Sequence, residues 1–541
     1  MKKTLFLLFA ICLLASCTDK SQSEYLVKVK GHEKIAKGPF EPTWESLNNY
    51  EIPEWFRDAK LGIWAHWGPQ CAEGTGDWMA RGMYMEGSDT YKYHLEHYGH
   101  PSEVGFKDVI PYFKAEHWNP DSLLAYYKSI GAKYFFALGN HHDNFDNWDS
   151  KYQEWNSVNM GPKKDLLAGW AKAAKKNGLP FGISFHGDHA WTFYEVAQRH
   201  DTLGPYKGIP YDGKLTKADG KGKWWEGYDP QHLYAQNHKL TNGKWNEGIP
   251  FKQWEWLDGV DTPTSWYVSN FYDRTLDAIN KYDPDLIYFD VIVYPFYPIS
   301  DAGLRIAAHM YNHNMQIHNG KNEAVMFGKN FEEEHKEAMV WDVERGATGG
   351  IQEHPWQSCS CIGGWHYSDA FYQNNWYKSA STVVKLLMDI VSKNGNLLLS
   401  VPLRSDGTFD EKEKAILDEF GAWMKQNGEA VYGTRPWTVF GEGPLAETAS
   451  DGESGHTEKA WAKAGNKDIR FTKKGDVLYA TILAWPDMGA SVTIKSLAGK
   501  DVSSVEILGY GPVKYNSTDK GLVVSFPEER VNEIAPVLKI K

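Results

Sequence analysis

The feature that most constrains this chain is a figure it repeats. An amphipathic run ends at a glycine, asparagine or proline stop, a short apolar run follows, and a polar residue closes the unit. In DSLLAYYKSIGAKYFFALGNHHD, Asp121 can cap a helix and Gly131 can end it; residues 134–138 then read as a strand that leads to Asn140, His141 and His142. In DLLAGWAKAAKKNGLPFGISFHG the stop is Asn177-Gly178, the strand is 181–185 and the polar residue is His186. In NFYDRTLDAINKYDPDLIYFD the stop is Asp283-Pro284, the strand is 286–289 and the residue after it is Asp290. The run 61–65 leads in the same way to His66, and 397–401 follows a stop at Asn394-Gly395. AVMFG (324–328) and AMVWDVERG (338–346) are two further short strands with polar ends.

Helix-then-strand units of this kind predict an α/β fold, a TIM-like (β/α)8 barrel, whose site residues sit at the strands' C-terminal ends. A doubly wound open sheet is the other architecture such units build, but no G-x-G-x-x-G follows a strand. Residues 195–266, rich in Gly, Lys, Trp and Tyr, lack periodicity and read as a functional loop or lid, or as a decoration packed on the barrel. EKEKAILDEFGAWMKQNGE is amphipathic, with Ile416, Leu417, Phe420, Trp423 and Met424 on one face. Beyond residue 432 the pattern turns to short β-rich runs such as DIRFTKKGDVLYATILAW and GLVVSFPE, a C-terminal β-sandwich. That sandwich carries no aromatic cluster beyond Trp485, which favours a bracing role.

The N-terminus reads as an export signal. Lys2 and Lys3 precede LFLLFAICLL and then Ala15-Ser16-Cys17, a signal peptide with a lipobox that resembles that of bacterial lipoproteins, with Cys17 as the acylated residue. The bland alternative is an ordinary secretory signal with an incidental Cys17. The apolar run is too short to span a bilayer. The expected domains are therefore a signal peptide (1–17), a polar tether (18–40), the barrel (41–432) and the sandwich (433–541). The expected location is the bacterial outer membrane, on its periplasmic or cell-surface side, with the lipid as the sole membrane contact. Cys71, Cys359 and Cys361 form no disulfide framework and no convincing zinc motif.

A net charge of -12 over 541 residues argues against a nucleic-acid partner. With 24 Trp and 30 Tyr the chain is aromatic-rich, which suits either a large aromatic core or stacking platforms for sugar rings. Glycoside hydrolysis needs two carboxyl groups flanking one bond. Asp290 ends one strand and Glu344 another, so both are expected on one rim, with His66, His141, His142 and His186 around them. Imidazoles and indoles suit hydroxyl recognition and stacking. The same HHD block with Asp290 could instead be a metal cluster, but the tryptophans fit a sugar better. No metal and no cofactor are expected.

GIWAHWGP, GDWMARGMY, GAKYFFALGNHHDNFDNWDS, PDLIYFD, PWQSCSCIGGWHY and NGNLLLSVPLRSDGTF resemble, in order, blocks of the α-L-fucosidases of glycoside hydrolase family 29. The likeness runs from about Trp55 to Trp437, and the β-rich tail is similar to the family's C-terminal domain. The resemblance implies a retaining exo-hydrolase acting on fucosylated oligosaccharides or glycoconjugates. Asp290 matches the nucleophile; His66, Asp77, Trp78, His141, His142, His186 and Trp356 match or fall at sugar-binding positions. Glu344 is the expected acid/base, with Glu353 as runner-up, while the Glu332 to Glu334 run reads as a solvated face. Phe289 or a tryptophan of the PWQ/GGW block is expected to wall the fucose methyl. Asp77 replaces the Glu common in the family, and Asn144 replaces Gly in a tight loop. The alternatives are a related exo-glycosidase for another L-sugar, or a surface glycan-binding lipoprotein without activity.

Overall fold

A computed structural model of the chain describes residues 25–241, 256, 260–329, 332–448 and 458–541. The short apolar runs form eight parallel strands that close into a barrel in sequence order. They are β1 (Leu61–Ala65), β2 (Tyr134–Asn140), β3 (Phe181–Phe185), β4 (Leu286–Phe289), β5 (Val325–Gly328), β6 (Val340–Glu344), β7 (Trp356–Cys361) and β8 (Gly395–Ser400). β1 pairs with both β2 and β8, which closes the ring.

Helices between strands end where the chain chemistry demands. Leu166–Asn177 is capped by Gly178 in the left-handed region, at φ 62°. Ser265–Tyr282 ends on Asp283, also left-handed, immediately before Pro284. Asn144 stands at φ 63°, a conformation that Asn accepts better than other side chains with a Cβ. Its Nδ2 donates to the His232 and Leu233 carbonyls at 2.9 and 3.1 Å, and its Oδ1 accepts from Arg274.

Strand residues alternate between the barrel interior and the helix layer. Trp64, Tyr134, Phe136, Leu286, Tyr288, Val325, Phe327, Val340, Cys359 and Leu398 fill the interior. Ile63, Phe135, Ile183, Ile287 and Phe289 face the helices. Two residues beyond the interior Trp64, Tyr288 and Phe327, and two beyond Asp342 on β6, the same parity brings His66, Asp290, Lys329 and Glu344 to the mouth.

The expected tether begins to pack well before residue 40. Val27 is buried and its N–H donates to the Ile299 carbonyl, Lys30 N–H to Ser269 Oγ, and His32 N–H to Asp273. Residues 25–40 therefore lie along Ser265–Tyr282 and Ala302–Ile317, because their backbone donors find fixed acceptors there. The signal segment and Cys17 lie outside the described residues. Among the described residues, no helix is long and apolar enough to cross a membrane.

Among the described residues nine strands follow the barrel, from β9 (Arg435–Glu442) to β17 (Val537–Ile540), in an antiparallel six-stranded and a three-stranded sheet. Arg470, buried on the second of these strands, donates to Asp389 of the barrel helix Ala380–Ser392 at 2.6 Å, and Lys393 holds the other carboxylate oxygen at 2.8 Å. Trp423 Nε1 donates to the Ala535 carbonyl at 2.9 Å. A buried ion pair and a shared core join this module to the barrel.

Candidate active site

Asp290 and Glu344 meet at one ammonium group. Lys329 Nζ lies 2.5 Å from Asp290 Oδ1 and 2.7 Å from Glu344 Oε2. The two carboxylate oxygens can be no further apart than those distances laid end to end, which is within the ~5–5.5 Å of a retaining glycosidase pair. Lys329 follows β5 directly, so three adjacent strands each contribute one charged group to the same point.

The other oxygen of Asp290 faces histidines. His142 Nε2 lies 3.4 Å and His186 Nδ1 3.5 Å from Oδ2. These are long, electrostatic contacts rather than short hydrogen bonds. His142 Nδ1 is held by the His186 carbonyl at 2.7 Å, which fixes the ring. Burial pushes the Asp290 carboxyl up, but Lys329 and the two imidazoles outweigh it and hold the group well below the ordinary carboxylate range. Burial also brings His186 down to about 4, so it is neutral at pH 7. For Lys329 the burial cost is outweighed by Asp290 and Glu344, which keep the ammonium charged.

Around this centre stand His66, His141 and His366. His366, in the loop after β7, donates from Nδ1 to Asp77 Oδ1 at 2.7 Å. His141 Nε2 is 4.0 Å from the same oxygen, and its Nδ1 lies 2.5 Å from Gln70 Nε2. Trp78 lies edge-on to His142 and Phe193, with ring centroids 6.2 and 6.0 Å away. Trp365, half-buried, sits 5.7 Å from His66 and 5.6 Å from Trp64. Beneath the carboxylates Asp342 accepts from Gln357 Nε2 at 2.9 Å, Cys359 Sγ at 3.1 Å and Tyr288 Oη at 3.2 Å; burial pushes it up to about 6.

The structure thus gathers Asp290, Glu344, His66, Asp77, Trp78, His141, His142 and His186 at one mouth. It does not bring Trp356 there. Trp356 is the first residue of β7, fully buried, with Nε1 donating to the Lys393 carbonyl just before β8. Five residues of strand, at ~3.3 Å each, separate it from the rim. Glu353 precedes it at the same N-terminal end, where its carbonyl accepts from Asn394, so it cannot serve Asp290 as a proton donor. Phe289 faces outward against Phe185 and Phe271, so of the residues expected to wall the fucose methyl it is Trp365, of the GGW block, that stands at the mouth. Glu332, Glu333 and Glu334 are exposed.

Lys329 and His366 were not singled out by sequence. The signal for Lys329 was its place directly after AVMFG; that for His366 was its neighbour in the GGWHY block. Part of the long aperiodic stretch lies outside the described residues. The rest packs onto the rim in short turns, with Asp212 accepting from Tyr84, Tyr234 and Lys107 at 2.7, 2.6 and 2.7 Å.

A closed β/α barrel with a carboxylate pair at its C-terminal mouth, ringed by imidazoles and indoles, is the architecture of a glycoside hydrolase. Residues 27–429 match the family model described as alpha-L-fucosidase, and residues 463–541 match that of the alpha-L-fucosidase C-terminal domain. The chain is 25% identical over 510 residues to an alpha-L-fucosidase of Branchiostoma floridae, covering 92% of this chain and 93% of that one. It is also 25% identical over 499 residues to the tissue alpha-L-fucosidase of Homo sapiens, covering 90% and 88%. The crystal structure of the Thermotoga maritima alpha-fucosidase superposes with a TM-score of 0.67 at 24% identity, over 93% of this chain and all of that one. The chain belongs to the alpha-L-fucosidase family.

Proposed function

We propose that this glycoside hydrolase releases terminal α-L-fucosyl residues with retention of configuration, using Asp290 as nucleophile and Glu344 as acid/base. The observation that supports the roles is the shared Lys329 contact, which keeps one oxygen of each carboxylate within the spacing of a retaining pair. Asp290 attacks the anomeric carbon and forms an ester as the glycosidic bond breaks. Glu344 gives a proton to the leaving oxygen. Water then attacks the same carbon, Glu344 takes its proton, and Asp290 departs as carboxylate. The depressed Asp290 carboxyl suits both attack and departure. His66, Asp77, His141, His142 and His186 supply donors and acceptors for the ring hydroxyls, and Trp78 and Trp365 supply its apolar walls.

The test is incubation with aryl α-L-fucoside and a panel of fucosylated oligosaccharides, following the configuration of the first free sugar by NMR. Release of the α-anomer is expected; first release of the β-anomer, or no release, overturns the reading. The N-terminal signal supports export and acylation at Cys17 as a further part of this proposal. Metabolic labelling with palmitate should mark the wild-type chain and not Cys17→Ala.

A further inference from the structure

Three imidazoles at the barrel mouth meet at near right angles. The ring centroids of His66 and His141 are 4.9 Å apart, those of His66 and His366 4.6 Å, and those of His141 and His366 4.8 Å. The interplanar angles are 77°, 80° and 86°. Rings set in this way surround a point rather than stack. An imidazole bound to zinc at ~2.0–2.1 Å places its centroid roughly 3 Å from the ion, and three of them at tetrahedral angles stand about 5 Å apart. The observed triangle is close to that. Asp77 completes the set: one ligand-type atom from each of the four residues lies within 4.8 Å of all the others.

Both ring nitrogens of His66 and Nε2 of His366 are buried without a hydrogen-bond partner among the described residues. Buried polar atoms left in that state are costly unless something fills the gap. His366 Nδ1 donates to Asp77 Oδ1 at 2.7 Å, which leaves the ring lone pair on Nε2.

We propose that His66, His141, His366 and Asp77 bind a late first-row divalent cation of the zinc class, and that the ion competes with the sugar for the pocket. Only the competition rests on the fucosidase reading; the binding rests on the cluster alone. Such a set of nitrogens and one carboxylate suits zinc better than magnesium or calcium.

Gln70 sets the balance between the two ligands. Its Nε2 donates to His141 Nδ1 at 2.5 Å while its Oε1 accepts from Ala80 N–H at 3.4 Å. In that setting His141 carries its proton on Nε2 and offers a donor to a sugar hydroxyl. Metal binding requires the amide to turn, so that Oε1 accepts from Nδ1–H and Nε2 is bare. The weak Ala80 contact is what the turn sacrifices. Gln70→Glu would supply the acceptor permanently.

The full chain, stripped with a chelator, is titrated with Co2+ while visible absorption is read. One equivalent with the strong d–d band of a four-coordinate ion is expected, displaced by Zn2+ and by L-fucose. His66→Ala and His366→Ala should each weaken binding by roughly tenfold or more, and Gln70→Glu should tighten it. Asp77→Asn, at an exposed position, gives a second handle should a buried variant misfold. No band with millimolar Co2+, or an unchanged band in the folded variants, overturns the site. With aryl α-L-fucoside, Zn2+ should raise KM and leave kcat unchanged; a loss of kcat alone overturns the competition. A chain that binds Co2+ but releases no fucose leaves the metal site standing and removes the fucosidase reading. The reverse result does the opposite.

Discussion

Asp290 and Glu344, 54 residues apart in the chain, each accept a hydrogen bond from the same lysine ammonium, at 2.5 and 2.7 Å. Two carboxylates this close have separable duties, and the leaving group separates them. Asp290→Ala removes the atom that forms the intermediate, so turnover of every fucoside should vanish while the circular dichroism spectrum is kept. Glu344→Ala removes a proton donor that an activated aryl leaving group does not need. Its kcat/KM should fall by about 10²–10⁴-fold on oligosaccharides and much less on a nitrophenyl fucoside. Equal losses on both substrates would take the acid/base role from Glu344.

Lys329 lowers the Asp290 carboxyl against the upward push of burial, together with His142 and His186. Wild-type Asp290 thus stays ionised far into acid. Lys329→Met removes the nearest positive charge, and the group should then protonate at higher pH. The acid limb of kcat/KM should move up by roughly one to three pH units. An unmoved limb would assign the depression to the histidines.

Asp143 carries the opposite sign. It is fully buried, and burial pushes its carboxyl up to about 7. Its Oδ1 accepts from Phe145 N–H at 3.1 Å and its Oδ2 has no partner among the described residues. A carboxyl raised above its unfolded value of ~3.9 binds a proton more tightly in the folded chain. Its contribution to stability is full below ~3.9, and is lost as the pH rises through about 7. Asp143→Asn keeps the acceptor and cannot ionise. Its unfolding free energy relative to wild type, from denaturant melts, should therefore improve from pH 5 to pH 8, by an amount on the order of a few kcal/mol at most. A difference that does not change with pH would remove Asp143 from the pH response.

The barrel and most of its mouth were legible because period and punctuation agree. The strands at 61–65, 181–185 and 286–289 are short, mainly apolar runs, the last two after clear stops, and the observed bounds coincide. Once a strand's end is known, its next inward residue is known, which is how His66, His186 and Asp290 were found. β7 offers no such run. Its inward residues are Gln357, Cys359 and Cys361, bound into a polar network, and its outward ones include Ser358 and Ser360. A block likeness there conveys residue types without their height in the barrel, and Trp356, expected at the sugar, stands at the opposite end of its strand. Lys329 needs the closed ring to be seen, because only the β4-β5-β6 order brings its ammonium between two carboxylates.

The two tryptophans of that region make the final test. Trp356 is buried at the base, hydrogen-bonded to Lys393 and packed beside Trp341 and Gly395. Trp365 is half-buried at the mouth, against Trp64 and His66. Trp356→Ala should cost about 3–5 kcal/mol of stability in a denaturant melt, from lost burial and the cavity left behind. Its KM for an aryl fucoside, measured well below the melting point, should stay near wild type. Trp365→Ala opens the site instead of the core. It should leave the melt within about 1–2 kcal/mol of wild type, since a half-buried ring has less apolar area to lose. KM should rise several-fold. Should Trp356→Ala raise KM as well, the base of β7 would be coupled to the mouth through Gln357 and Asp342, the two inward residues that lie between them.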